Sequence, residues 1–491
     1  MYMEGNPHTN LNKKHGNTNN SETKSASSFK FGTPRRMTEI STGINSNIFR
    51  AYDIRGVYPS AINKDSAYLI GRAFVEFLRK PKPNIVIGRD NRLSSSDLFK
   101  GLSKGITDQG ASVIDIGLST TPMLYWACGF YGYDGGINIT ASHNPKEQNG
   151  FKLVREKVVP ISRKTGLKQI YNLTKSRFVK SKKGKISKNR VLKDYLNFNL
   201  KKFNFKNFRK LKIVIDTANA VPGIIIPGLK KKLPIEIYSL FEKLDGKFPN
   251  HPPDPLIKKN LRFLRKEVKN KKADFGVAFD GDGDRVIFIT ERGRVISGDL
   301  ISAFLADLIL EQNPGAGILY DVRSSRVIQE VVKRSGGRSV IGRIGHSFIK
   351  EEMRKKNILF AGEFSGHYYL RNYYFSEAPL FVILKIAEAL SKTGKKLSEL
   401  VKPFKKYFHS GEINFRIRDK KGILELLERR YKNGKLLKID GLRIDFKDWW
   451  FLARLSGTED LLRLVVEART KKLMEKRKKE LSSLIKRYAN L

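Results

Sequence analysis

The sequence predicts an α/β fold with mainly parallel sheet, repeated along the chain. Short apolar, β-prone runs alternate with helically spaced stretches from about residue 84 onward, which is the signature of βαβ units. At 491 residues the chain has room for roughly three or four domains. The residues with the most distinctive chemistry gather in loops marked by glycine and proline between predicted strands, where open α/β sheets carry their sites.

Residues 1–44 are rich in Asn, Ser, Thr, Lys and Gly and lack apolar periodicity, so a disordered tail is expected. The first alternating set follows: a strand from Asn84 to Gly88, helical spacing from Ser95 to Gln109, and a strand from Ser112 to Ile116. Pro122 then sits where a first helical turn tolerates it, and a strand returns from Gly136 to Thr140. From Leu153 to about 190 the chain reads as basic and helix-like. A second set places strands at 211–216 and 235–238, a helix over 222–232 and another over 256–270. The third has a helix from Gly298 to Leu310, a strand from Gly317 to Tyr320, and a helix ending near Ser335. From about 405 the texture is α+β, ending in a basic amphipathic helix from Lys471 to Tyr488.

The stretch from Gly276 to Ile289 holds three carboxylates, Asp280, Asp282 and Asp284, followed by Arg285. Apolar runs on both sides predict strand, loop and strand, with the aspartates together at the tip. Three like charges so close repel unless a hard divalent cation sits among them, and oxygen ligands suit Mg²⁺ or Ca²⁺. A helix-loop-helix calcium site would match the aspartate spacing and Glu291, but Arg285 stands where that loop needs glycine. A plain solvated acidic turn is the other alternative. An ion held by these aspartates alone would keep open positions, and Mg²⁺ commonly fills such positions with phosphate oxygens.

Three further loops stand out. Ser142 and His143 lie between Thr140 and Pro145. Adjacent residues on an extended chain point apart, so they do not form a ready hydrolase pair; a serine carrying a phosphoryl group would supply the missing metal ligand, with Lys152 balancing charge or moving a proton. Glu363, Ser365 and His367 alternate, so an extended loop would put all three on one face, suited to sugar hydroxyls or to an ordinary hydrogen-bonded turn. Arg454, Ser456, Gly457 and Thr458 combine guanidinium, hydroxyls and loop amides, a set that holds phosphate. His251, in a proline-rich loop, reads as a hydrogen-bonded loop histidine or a ligand.

Lys and Arg number 95 against 48 Asp and Glu, a formal charge of +47. That balance admits nucleic-acid binding, but the basic residues are spread through the chain without an aromatic-interleaved stripe, so specific nucleic-acid recognition is not expected, while nonspecific polyanion binding stays open. No apolar run reaches the ~18 residues of a spanning helix, and no secretory signal is apparent. The single cysteine, Cys128, fits a reducing cytoplasm.

Taken together, Ser142 in TASHNP, GDGDR at 281–285, GEFSGH at 362–367 and RLSGTE at 454–459 resemble the α-D-phosphohexomutases. With FRAYDIRG at 49–56, the resemblance is closest to the bacterial phosphomannomutase/phosphoglucomutase group. It implies three similar α/β domains with mixed sheets and a smaller α+β C-terminal domain around one cleft: 45–190, 191–295, 296–404 and 405–491. It implies an intramolecular phosphotransferase of the isomerase class, interconverting 1- and 6-phosphates of mannose or glucose through a phosphoserine at Ser142 and a bound hexose 1,6-bisphosphate. Ser142 and the three aspartates would hold one Mg²⁺. Arg55, Lys152 and His346 would serve proton transfer and electrostatics. Tyr52, Arg285, Arg323 and His367 would line the cleft; Glu363 and Ser365 would hold sugar hydroxyls, and Arg454, Ser456, Gly457 and Thr458 the other phosphate. A monomer or dimer is expected.

The chain departs from that pattern at Arg323, where lysine is usual, at Ile344, which replaces a polar residue, at Asp460, which replaces proline, and over Ser376–Pro379, where an acidic stretch is usual. Phosphoglucosamine mutases typically carry Gln at the place of Phe364, which lowers that substrate as an alternative.

Overall fold

The computed structural model describes residues 44–178, 181–456 and 460–489. The predicted tail therefore lies outside the described residues, as do Gly457 and Thr458. Among the described residues no helix is long and apolar enough to cross a membrane.

The first sheet is built from β1 (Ile54–Val57), β2 (Asn84–Arg89), β3 (Ser112–Leu118), β4 (Gly135–Ile139), β5 (Gln148–Arg155) and β6 (Ile186–Lys188), in the order β1-β5-β4-β2-β3-β6. Strands β2, β3, β4 and β6 run parallel, while β5 returns antiparallel between β4 and β1. Helices α1 (Lys64–Leu78) and α2 (Ser95–Asp108) pack together against it, followed by α3 (Thr121–Phe130) and α4 (Lys168–Leu173). Asn63 starts α1 because its side chain accepts from the N–H groups of Asp65 and Ser66 and Ser66 reciprocates. The basic 153–190 stretch is thus mostly not helix. Leu153 and Val154 are buried inside β5, and their packing outweighs the helical composition beyond them.

The second sheet follows α5 (Leu192–Leu200) and holds β7 (Leu211–Asp216), β8 (Ile235–Leu240), β9 (Phe275–Phe279), β10 (Val286–Thr290) and β11 (Val295–Ile296), in the order β11-β10-β9-β7-β8. Helix α6 spans Ile226–Lys232 and α7 spans Arg262–Asn270. The helix expected from 256 starts six residues late, after a run of turns in which Asn260 caps the carbonyls of Pro252 and Asp254. The third sheet holds β12 (Gly317–Asp321), β13 (Arg338–Gly342), β14 (Phe360–Gly362), β15 (Tyr368–Leu370) and β16 (Ser376–Glu377), in the order β13-β12-β14-β15-β16. Its helices are α8 (Gly298–Gln312), α9 (Val327–Arg334), α10 (His346–Lys355), α11 (Pro379–Thr393) and α12 (Leu397–Leu400).

The three sheets share one plan. In each, a central parallel strand (β2, β7, β12) lies beside a second parallel strand (β4, β9, β14), which turns back as an antiparallel neighbour (β5, β10, β15). The serine, aspartate and glutamate loops are those three turns. The central strand also leads in each case to an aspartate whose Oδ1 accepts a main-chain N–H two residues on: Asp90 from Arg92, Asp216 from Ala218, and Asp321 from Arg323.

One continuous apolar core joins the three, with Trp126, Tyr195, Phe275, Phe288, Phe304 and Tyr368 buried in it. The seam between the first and third domains is tight. A Cβ on Gly129 would lie 2.5 Å from the Tyr374 ring, and Arg354 donates to the carbonyls of Val158 and Tyr374. The last domain is antiparallel: β17 (Phe408–His409), β18 (Ile413–Arg416), β19 (Lys435–Leu437), β20 (Leu442–Asp445), β21 (Trp449–Leu455) and β22 (Leu461–Ala468), with α13 (Lys420–Arg430) and α14 (Lys471–Ala489) over a separate core. It joins the third domain through Arg326, which donates to three carbonyls at 446–449, and through Arg443, which donates to Val322 O.

Candidate active site

Ser142 lies in the turn from β4 to β5 and takes the left-handed conformation, with φ 52°. Its N–H donates to Thr140 Oγ1 at 2.9 Å, and its hydroxyl donates to Asp280 Oδ2 at 2.7 Å. The loop is not extended here, which corrects the expectation that Ser142 and His143 point apart: Ser142 Oγ lies 3.1 Å from His143 Nδ1. The turn is braced from below by Arg92. Its buried guanidinium donates to the carbonyls of Ser142, Asn144, Pro145 and Gln148 at 2.6–3.0 Å and pairs with Asp90.

Asp280, Asp282 and Asp284 form the turn between β9 and β10, so strands flank the loop rather than the helices of a calcium-binding hand. All three are buried, and one oxygen from each lies within 4.8 Å of the others. Asp282 Oδ2 accepts from Thr121 Oγ1 and from Lys152 Nζ, and Lys152 also bonds Asp284 Oδ2. Asp282 Oδ1 is buried with no hydrogen-bond partner. Burial, then the charges of Asp284 and Asp282, push the Asp280 carboxyl well up. Burial alone would raise Asp284 too, but Lys152 and then His367 hold it well below the usual carboxylate range. Three buried carboxylates share one buried ammonium, and with one oxygen of Asp282 left without a partner the residues fit a divalent cation.

Arg55 holds Asn144 Oδ1 and Asp53 Oδ2, each at 2.6 Å, which places its guanidinium beside the serine turn. Tyr52 crosses toward the third domain: its hydroxyl donates to Ile344 O at 3.4 Å, and its ring meets the edge of His346 with centroids 5.7 Å apart. Gly345, at φ 120°, has no alternative residue, since a Cβ there would sit 2.8 Å from the Tyr52 ring. Burial, then Lys350 and Lys152, hold the His346 imidazole well below its ordinary value, so it is neutral. Ile344 contacts its neighbours through its main chain, the N–H donating to Asp440 Oδ2, while its side chain packs against Val322, Trp450, Leu452 and Val465. An apolar residue is therefore accommodated there.

Glu363, Ser365 and His367 do converge, but through a tight turn in which Gly366 N–H donates to Glu363 O, not through an extended loop. Ser365 Oγ lies 3.2 Å from Glu363 Oε2 and 3.0 Å from His367 Nδ1, and His367 Nε2 lies 3.1 Å from Asp284 Oδ1. Arg285 Nε approaches His367 Nε2 at 3.4 Å. From Glu363 the polar contacts continue through Arg323, at 3.7 Å, to Glu412, at 3.5 Å, and on to Arg463 of β22, at 3.3 Å. Arg454 stands directly opposite Arg463 in the β21–β22 pairing and lies 3.9 Å from Asp440. Ser456 is buried at the end of β21. One chain of polar side chains thus runs from the aspartate turn to Arg463 of β22, opposite Arg454.

Four sequence families match in the same order as the four domains. They are the phosphoglucomutase/phosphomannomutase alpha/beta/alpha domains I, II and III, over residues 46–179, 193–293 and 297–407, and the C-terminal domain, over 412–484. The chain belongs to the phosphoglucomutase/phosphomannomutase family. It is 39% identical over 435 residues to the phosphomannomutase/phosphoglucomutase of Pseudomonas syringae pv. tomato, covering 87% of this chain and 93% of that protein. It is also 39% identical over 450 residues to the phosphomannomutase of Escherichia coli K12, covering 89% and 98%. Among solved structures, a phosphoglucomutase/phosphomannomutase family protein from Burkholderia thailandensis superposes with a TM-score of 0.84 at 31% identity, covering 91% of this chain and 98% of that one.

Within this family member, several residues of the site carried no sequence signal. Arg92 stands in no motif. Thr121 read only as a helix start, yet its N–H also donates to Asp282 O. Glu412 and Tyr369, whose hydroxyl bonds Glu363, sit in stretches without a motif. His251, by contrast, is the hydrogen-bonded loop histidine: it bridges Asp216 and Pro252 O.

Proposed function

We infer that this protein interconverts hexose 1-phosphate and hexose 6-phosphate, with mannose or glucose as the sugar, by way of a phosphoserine at Ser142 and a bound hexose 1,6-bisphosphate. The observation that carries this reading is the 2.7 Å contact between the Ser142 hydroxyl and Asp280, at one end of a polar chain that reaches Arg463 and the Arg454 strand. Phosphoserine would donate its phosphoryl group to the free hydroxyl of the sugar phosphate, the P–O bond to Ser142 breaking as the bond to the sugar forms. The bisphosphate would then turn over and return its other phosphoryl group to Ser142.

Asp280, Asp282 and Asp284, with the seryl phosphate, would hold Mg²⁺, which when bound offsets the charge on the transferring group. The chain's own residues do the rest. Arg55, Lys152 and Arg285 surround the serine turn with fixed positive charge, which a loose phosphoryl transition state requires. His346, kept neutral, is suited to accept the proton of the attacking hydroxyl. Glu363 and Ser365 offer acceptors to adjacent sugar hydroxyls, and Arg454 with Ser456 offers donors to the phosphate that stays. Members of the family named phosphomannomutase cover nearly the whole chain, which supports the same assignment.

The test is to supply purified protein with mannose 1-phosphate or glucose 1-phosphate, Mg²⁺ and a trace of hexose 1,6-bisphosphate. Formation of the 6-phosphate, together with an intact-mass increase of one phosphoryl group that is absent in Ser142→Ala, is expected. No 6-phosphate from either sugar would overturn the reading.

A further inference from the structure

Beneath the site lies an ion pair with no exposure at all: Lys350 Nζ of α10 meets Glu377 Oε1 of β16 at 2.8 Å, both side chains 0% exposed. The ammonium also sits over the Tyr125 ring of α3, 4.1 Å from its centroid, and faces Tyr369 of β15 at 5.8 Å. A buried pair of this kind is poor value as a fastener, because desolvating two charges offsets most of their attraction and apolar residues of similar volume often hold a fold as well. Among the described residues neither Lys350 Nζ nor either oxygen of Glu377 makes a well-aligned hydrogen bond, so charge alone holds the pair, which adds to the penalty.

The elements it joins are those that present the chemistry. Helix α10 begins with His346, one turn before Lys350 on the same face. Strand β16 pairs with β15, placing Glu377 opposite Tyr369, whose hydroxyl holds Glu363. Helix α3 begins at Thr121, which holds Asp282. One ammonium therefore touches the supports of the histidine, the sugar turn and the metal turn.

We propose that Lys350 and Glu377 are a positioning pair for the reaction inferred above, fixing His346 and Glu363 against α3 of the first domain, whose Thr121 holds the aspartate turn. The proposal rests on that reading of the function, and its test separates the two.

The experiment compares the wild type with Lys350→Met/Glu377→Met, which removes both charges at similar volume, and with the single Lys350→Met. The double variant is expected to melt at or above the wild-type temperature while kcat falls by about tenfold or more and KM stays within about twofold. The single variant, which leaves a lone buried carboxylate, is expected to melt lower. Wild-type kcat in a stable double variant would overturn the proposal, as would parallel losses of kcat and stability in it. An ¹⁵N spectrum of the imidazoles reads the placement without turnover: the His346 signals are expected to move in the double variant, and unchanged signals would overturn the proposal even if the wild type proved inactive on both sugars.

Discussion

Ser142 Oγ donates to Asp280 Oδ2 at 2.7 Å although 138 residues separate them in sequence. The contact joins the β4–β5 turn of the first domain to the β9–β10 turn of the second, so the meeting of this serine with the carboxylate triad is a product of domain packing.

Replacing Ser142 with alanine removes the hydroxyl and leaves a small residue in a left-handed position. Turnover of hexose phosphate is expected to fall by about 10³-fold or more, with far-UV circular dichroism unchanged. Activity within a few-fold of wild type would exclude Ser142 as the phosphoryl carrier.

The aspartate turn is expected to trade stability for metal affinity. Asp280→Asn relieves the repulsion that raises that carboxyl, so in the presence of a chelator the variant should melt higher than wild type. With Mg²⁺ present it should lose about 10²-fold or more in kcat. Chelation of wild type should abolish turnover and added Mg²⁺ restore it. A variant that melts no higher without metal would show that the carboxylates are not in conflict.

Arg92 makes the serine turn rigid from beneath. Arg92→Lys keeps the charge beside Asp90 but cannot reach four carbonyls. It should lower kcat by about tenfold or more with little change in KM, together with a lower melting temperature. Steady-state kinetics and calorimetry on one preparation check both.

His251 gives a pH signature in stability. Burial would lower its pKa, but the hydrogen bond and charge of Asp216 outweigh this and raise it. The folded value lies above the ~6.5 of an unfolded histidine, so the stabilisation is fully present below that unfolded value and disappears as pH rises through the folded one. The melting difference between wild type and His251→Gln should therefore be largest in mildly acidic buffer and close on going alkaline. A difference that grew with pH would reverse the assignment.

Cys128 is fully buried in α3, and burial pushes its thiol up to about 12. At pH 8 about one molecule in 10⁴ carries the thiolate, so a thiol reagent should leave native protein unmodified and label one site per chain in denaturant. Rapid labelling of native protein would contradict the packing around α3.

The strands, the aspartate turn and the four motif loops were legible because their signals are local. Apolar runs mark β7, β9 and β10, and glycines mark the turn between the last two. What escaped depends on distance. The φ of Ser142 is imposed by Arg92 and Asp280, neither of which is a neighbour in sequence. The repeated aspartate at the carboxyl end of each central strand was invisible because its partner differs each time: Arg92 in the first domain, His251 in the second and Arg323 in the third. The overlong helix from 256 shows the same limit, since its early residues are spent on a loop that Asn260 ties to Pro252.

The Gly129–Tyr374 contact has a practical meaning for anyone altering this molecule. With backbone meeting a ring at that point, the first and third sheets behave as one casting, and even a methyl group at position 129 acts as a wedge.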